Sequence, residues 1–141
     1  MCYVKGNLGN QGAPMNIVVK KVSTSFDSTL ALLTQHLSEA KFGVLSTIPL
    51  SEKFADKGLP FEGRLVILDV CNPMEAHKVY QIDPLAVNFL PCKFVIHEQA
   101  GKVTVEMIRP TDLIGLMNNS QLTIFASDIE KRLLDVLNHL N

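Results

Sequence analysis

Tryptophan is missing from these 141 residues, aromatic residues make up only 6%, and cysteine occurs three times. Three cysteines cannot staple a chain of this length, which excludes the disulfide scaffold of small secreted domains. Charge excess is lacking too: thirteen Lys and Arg stand against fourteen Asp and Glu, a formal net charge of −1. That balance excludes the electrostatic footprint of a protein built on nucleic-acid phosphates or on an anionic membrane surface. No run of about 18 apolar residues is present to span a bilayer. The opening residues carry Asn, Gln, Gly and Pro where a secretory signal needs an apolar core. The expectation is a soluble, cytoplasmic protein with no nucleic-acid and no membrane partner.

What is present is enough apolar material for one core. Hydrophobic residues are 47% of the chain and charged ones 19%, too apolar for disorder and sufficient for a single domain. Residues 1–14, with glycine at 6, 9 and 12, show no period of 2 or 3.6 and read as a flexible arm. Residues 15–141 read as one domain. A β-branched run at 15–22 predicts a strand. Ser23-Thr24-Ser25 then offers N-caps for a helix with a stripe of Phe26, Leu30, Leu33, Leu37 and Ala40, closed by Gly43.

A strand at 44–48 and a short helix at 51–58, capped by Ser51, come next. The nearly continuous apolar run at 64–70 predicts a central strand covered on both faces. Asn72-Pro73-Met74-Glu75 is a helix start: Asn caps, and Pro stands first, where its missing N–H costs nothing. Asp83-Pro84 repeats that signal for a short helix over 84–88. Alternating runs at 92–98 and 102–108 around a Gly-containing turn predict a β-hairpin. A short helix at 110–117 precedes a long one from Ser120, whose apolar face runs from Leu122 to Leu140. The order predicts an α+β fold. One mixed, mainly antiparallel sheet of about five strands carries packed helices and ends in the hairpin and the long C-terminal helix, and crossover helices impose some parallel pairs.

Four stretches carry a family resemblance: Phe42-Gly43-Val44-Leu45, Cys71-Asn72-Pro73, Leu90-Pro91-Cys92, and Pro110 with Leu113. In that order they resemble the domain of unknown function 302 family, over roughly nine-tenths of the chain by the segment boundaries above. The resemblance implies a compact α+β fold, a homodimer and no established reaction.

Chemistry-bearing residues are few. Cys71 ends the central strand before a helix start and Cys92 opens the next strand. Such positions suit a reactive thiol, but cysteine is also a small apolar residue that is often buried. Alternation sends Lys93 to the other sheet face, so it does not activate Cys92. His77 and His97 follow Cys71 and Cys92 at six and five positions. These spacings do not match structural zinc, and no metal ligand set is assigned. The serines at 23, 25, 51 and 120 read as caps, with no G-x-S-x-G, and no phosphate loop precedes a helix. Asp69 interrupts the apolar run and calls for a hydrogen bond or a cation, with Arg64 and Arg109 as candidates.

The preferred reading is a homodimeric module without its own chemistry and without a cofactor. It binds a small, uncharged or anionic metabolite at Asn72, Pro73 and Cys92, with Arg64 or Arg109 as counter-charge. The alternative is a thiol-dependent redox protein or enzyme using Cys71 or Cys92. Apolar residues beyond the assigned stripes (Leu113, Ile114, Leu116, Met117, Leu32, Leu134 and Met107) predict either a dimer interface or a second core layer.

Overall fold

The computed structural model describes residues 17–141. The expected arm, Cys2 and the first two residues of the opening strand lie outside them. The elements are β1 (Ile17–Val22), α1 (Phe26–Glu39), β2 (Gly43–Ile48), α2 (Leu50–Asp56), β3 (Arg64–Cys71) and α3 (Pro73–Ile82). A 3-10 helix (Pro84–Phe89) leads to β4 (Cys92–Gln99) and β5 (Lys102–Ile108). Then come α4 (Pro110–Ile114), a 3-10 turn (Gly115–Met117) and α5 (Ser120–Asn138).

Local signals explain most boundaries. Ser25 Oγ accepts the Ser28 amide at 3.1 Å and starts α1. The helix does not close on Gly43. Lys41 takes the left-handed position at φ +73°, while the Lys41 and Phe42 amides donate back to Ser38 and Leu37 at 2.9 and 2.8 Å. Gly43 instead opens β2. Asn119, not Ser120, caps α5 by accepting the Gln121 and Leu122 amides. Ser51 is not a cap either: its Oγ accepts the Leu65 amide at 3.0 Å and ties α2 to β3. The hairpin turn is Ala100-Gly101, both left-handed at φ 54° and 77°, as a two-residue turn between twisted strands requires.

The sheet order is β1-β5-β4-β3-β2, and all four pairings are antiparallel. The parallel pairs expected from crossovers do not form. A parallel return needs a helix laid along the sheet between neighbouring strands. Here α1 carries the chain from one edge strand to the other, and β3 and β4 each run back beside the strand before them.

The core lies on one face only. Val66, Leu68 and Val70 of β3, Phe94 and Ile96 of β4, and Val103, Val105 and Met107 of β5 are buried. They pack with Phe26, Leu33 and Leu37 of α1 and Leu133, Val136 and Leu137 of α5. Each such side chain contributes about 1.5–3 kcal/mol on burial. The alternate residues of β3 are half-buried, so this strand is not covered on both faces. Its apolar run reflects half-covered positions, which Leu65 and Ile67 fill on the helix-poor side, where α2 reaches β3.

A second buried cluster joins Val79, Ala86, Ile114, Leu122 and Ala126. It absorbs most of the apolar surplus around α4: Ile114 is buried, Leu113 and Met117 are half-buried, and Leu116 stays exposed. Met107 is buried in the main core, and Leu32 and Leu134 pack against it.

Candidate functional site: an apolar cavity beside Cys92

Where β3 hands over to α3, the helix start is already satisfied. Pro73 has no N–H, Asn72 Oδ1 accepts the Met74 and Glu75 amides at 3.0 and 3.2 Å, and the Ala76 amide bonds Asn72 O at 2.9 Å. The three amides of the first helical turn are thereby accounted for. The first turn of α3 therefore has no free amide to offer the expected anion.

The two cysteines stand on adjoining strands. Cys92 pairs with Val70, so Cys71 lies one register step further along β3, and alternation sends the two thiols to opposite faces. Cys92 packs against the main core. Burial, and secondarily the neighbouring Cys71 charge, pushes its thiol up to about 11. Burial raises the Cys71 thiol as well. At neutral pH a thiol titrating near 11 is roughly one part in ten thousand thiolate, the opposite of an activated nucleophile.

Cys92 instead forms part of a cavity of about 450 Å³ at the end of the sheet. Its walls are Val79 of α3, Phe89, Leu90 and Pro91 before β4, Ile108 of β5, Leu113 and Ile114 of α4, and Leu122, Phe125, Ala126 and Ile129 of α5. The Leu90–Pro91 peptide is cis. The polar lining residues, Asn88 and Lys93, are both engaged. Asn88 Nδ2 donates to Leu85 O at 2.9 Å, and Lys93 Nζ donates to Asp69 Oδ1 at 3.0 Å. Asp69 also accepts from Ser46 Oγ at 2.7 Å; these bonds, Ser46 first and Lys93 next, hold its carboxyl below the usual range. Its partners are therefore neither Arg64 nor Arg109.

The two arginines proposed as counter-charges stand elsewhere. Arg64 begins β3, seven residues and roughly 24 Å of strand from Cys71. It pairs with Asp27 at 3.1 Å and lies over the Phe26 ring at 4.1 Å. Arg109 is closer to the cavity but spent, bonding Glu130 Oε2 at 3.1 Å. Glu130 Oε1 accepts the Thr111 amide and hydroxyl at 3.1 and 2.6 Å, clamping α4, one wall of the cavity, onto α5. Glu130 was not singled out from the sequence. The signal was the start of α4, where Arg109 supplies no side-chain cap and an acceptor must come from elsewhere.

His77 is exposed on α3, and His97 faces the other side of the sheet against Phe61. Among the described residues no group of three or more His, Cys, Asp or Glu is arranged to hold a metal ion. None of the described helices is long and apolar enough to cross a membrane.

A five-stranded antiparallel sheet, cored on one face by two long helices and closed at one end around a cavity, defines a small α+β domain. The chain belongs to the family described as Domain of unknown function DUF302, whose profile matches residues 18–140. It is similar to the crystal structure of an uncharacterized conserved protein of that family from Bacillus stearothermophilus. The two share 40% identity with a TM-score of 0.86, over 92% of this chain and all of that one. No curated protein matches the sequence.

Proposed function

We propose that the protein is a cytosolic homodimeric module that binds a small, uncharged, mainly apolar molecule in the cavity beside Cys92. The observation that carries this reading is a 450 Å³ cavity with apolar walls whose polar neighbours already have partners inside the protein. Such a site rewards the transfer of apolar surface, and its one charged lining residue, Lys93, is already paired with Asp69. The anionic ligand considered from the sequence loses its support, because Asn72, Lys93 and Arg109 are all satisfied. The thiol-dependent reading loses support from the raised Cys92 thiol.

Two probes with one aromatic core test the proposal. Neutral N-phenyl-1-naphthylamine should bind saturably at one site per chain, more tightly than anionic 1-anilinonaphthalene-8-sulfonate. Ala126→Phe, which fills the cavity from α5, should abolish that binding while the helical circular dichroism persists. Equal binding by that variant, or preference for the sulfonate, would overturn the reading.

Self-association rests on the family resemblance and on the large apolar side chains left exposed. These include Met74, Leu85, Leu116 and Ile124, each at least two-thirds exposed. Sedimentation should give twice the 15.6 kDa chain mass; a 15.6 kDa species at every concentration would remove the dimer. Free thiols at both Cys71 and Cys92 accord with a reducing compartment.

A further inference from the structure

The helices α1 and α5 cover one face of the sheet; the other carries side chains that a solvated face does not favour. Register joins five of them into a single row across all five strands: Val19 of β1, Glu106 of β5, Val95 of β4, Ile67 of β3 and Ile48 of β2. The row lies opposite the helices, because Val66, Leu68, Phe94, Ile96, Val105 and Met107 beside it in sequence point into the core. All five residues are half-buried within the chain. An antiparallel sheet with one solvated face normally alternates apolar-in with polar-out, yet four positions of this outer row are β-branched and apolar. The next row runs Lys21, Thr104, His97 and Leu65. Phe61 stacks at its His97 end, with ring centroids 6.3 Å apart, while Lys21 at the other end is exposed.

Charge on this face is balanced but only half paired. Lys93 and Asp69 satisfy each other at 3.0 Å. Glu106, set between Val19 and Val95, has only a Thr104 hydrogen bond and the His97 ring nearby, and burial raises its carboxyl above the ordinary value. Lys21, one row away on the neighbouring strand, has no partner among the described residues. Such a face is self-complementary. A two-fold operation sets apolar row against apolar row and gives each unpaired acid the other copy's unpaired base. The area also suits a pair of sheets. Five strands about 4.8 Å apart, with six to eight residues at about 3.3 Å each, offer a plane of about 500–600 Å². With the relief of its side chains that approaches the roughly 800 Å² each partner gives to a standard interface.

We infer that two copies of this chain pack these open sheet faces together about a two-fold axis. The row from Val19 to Ile48 is buried at the centre, and Lys21 of each copy pairs with Glu106 of the other. The assigned surface rests on the homodimer proposed above and is separate from the apolar cavity.

Sedimentation of the full-length protein tests it. Wild type should run at twice the 15.6 kDa chain mass. Val95→Asp, with unchanged circular dichroism, should run as the single chain at concentrations where wild type is dimeric. Lys21→Glu, an exposed change that spares the fold, should weaken dimerisation about tenfold or more. Adding Glu106→Lys to it should recover most of that loss, as exchanged partners do. Leu116→Asp and Ile124→Asp should leave the dimer intact. A dimer that survives Val95→Asp, no recovery in the exchanged pair, or a dimer broken instead by Leu116→Asp or Ile124→Asp would overturn the surface and leave the homodimer standing. Wild type at 15.6 kDa throughout, with Val95 and Ile67 methyls shielded from a soluble paramagnetic probe, would give the face to another part of the chain. That result would overturn surface and homodimer together.

Discussion

Two hollows of nearly equal size, about 410 and 450 Å³, face each other in chemistry across the same helix α5. One sits where α1 and α5 end, lined by the polar side chains of His36, Glu39, Arg132, Asp135 and His139. The other sits where α3, α4 and the cis-proline approach to β4 close around apolar side chains, with the nearby polar groups consumed internally. Volume alone assigns neither site. What distinguishes them is the chemistry of the side chains that line each.

Removing Glu130 should break this contrast most severely, because its carboxylate serves Arg109 and Thr111 together. Glu130→Ala leaves a guanidinium and an amide without their acceptor, and urea denaturation should show a loss of about 2–4 kcal/mol. The wall formed by α4 should loosen with it, so N-phenyl-1-naphthylamine binding should fall.

Asn72→Ala is a smaller perturbation on the same side. Losing the cap of α3 should cost about 1 kcal/mol, read as a lower denaturation midpoint. Affinity for the neutral probe should stay within about twofold, since Asn72 serves α3 and not the ligand. A large loss of probe affinity in this variant would return the site to the helix start.

The effect confined to alkaline pH is titration of Cys92. Its thiol rises from 9.0 to about 11 on folding, so both states hold the proton below pH 9 and its contribution is fully present there. Between pH 9 and about 11 the unfolded chain releases the proton while the folded one keeps it. Stability therefore falls as pH rises through that window. Wild type should lose stability there relative to Cys92→Ala, and iodoacetamide at neutral pH should label Cys71 faster than Cys92. Equal labelling rates would revive the thiol-dependent reading.

Much of the fold was legible because local rules and tertiary packing agree. The Asn72-Pro73 start, the Ala100-Gly101 turn and the stripe on α5 are short-range signals that nothing in the structure overrides. Strand direction was not legible: a helix between two strands suggests a parallel return, but whether it crosses the sheet or turns back depends on which strands become neighbours. The closing of α1 was misassigned because Gly43 has the freer backbone, yet Lys41 takes the left-handed position with two back-donating amides. At the candidate site, Cys92 was visible as a ligand contact at the opening of a strand. The walls from Leu113, Leu122 and Phe125 were not, because they join only through contacts between α4, α5 and the end of the sheet. Arg64 and Arg109 were offered as free charges because a sequence does not reveal Asp27 or Glu130 as their partners.

The most direct test of the central claim is to add neutral N-phenyl-1-naphthylamine to methyl-labelled protein and record which methyl resonances move. The account predicts joint shifts at Val79, Leu113, Ile114, Leu122 and Ile129, with the exposed Leu85, Leu116 and Ile124 unmoved. Shifts at the exposed set with the cavity methyls still would contradict it.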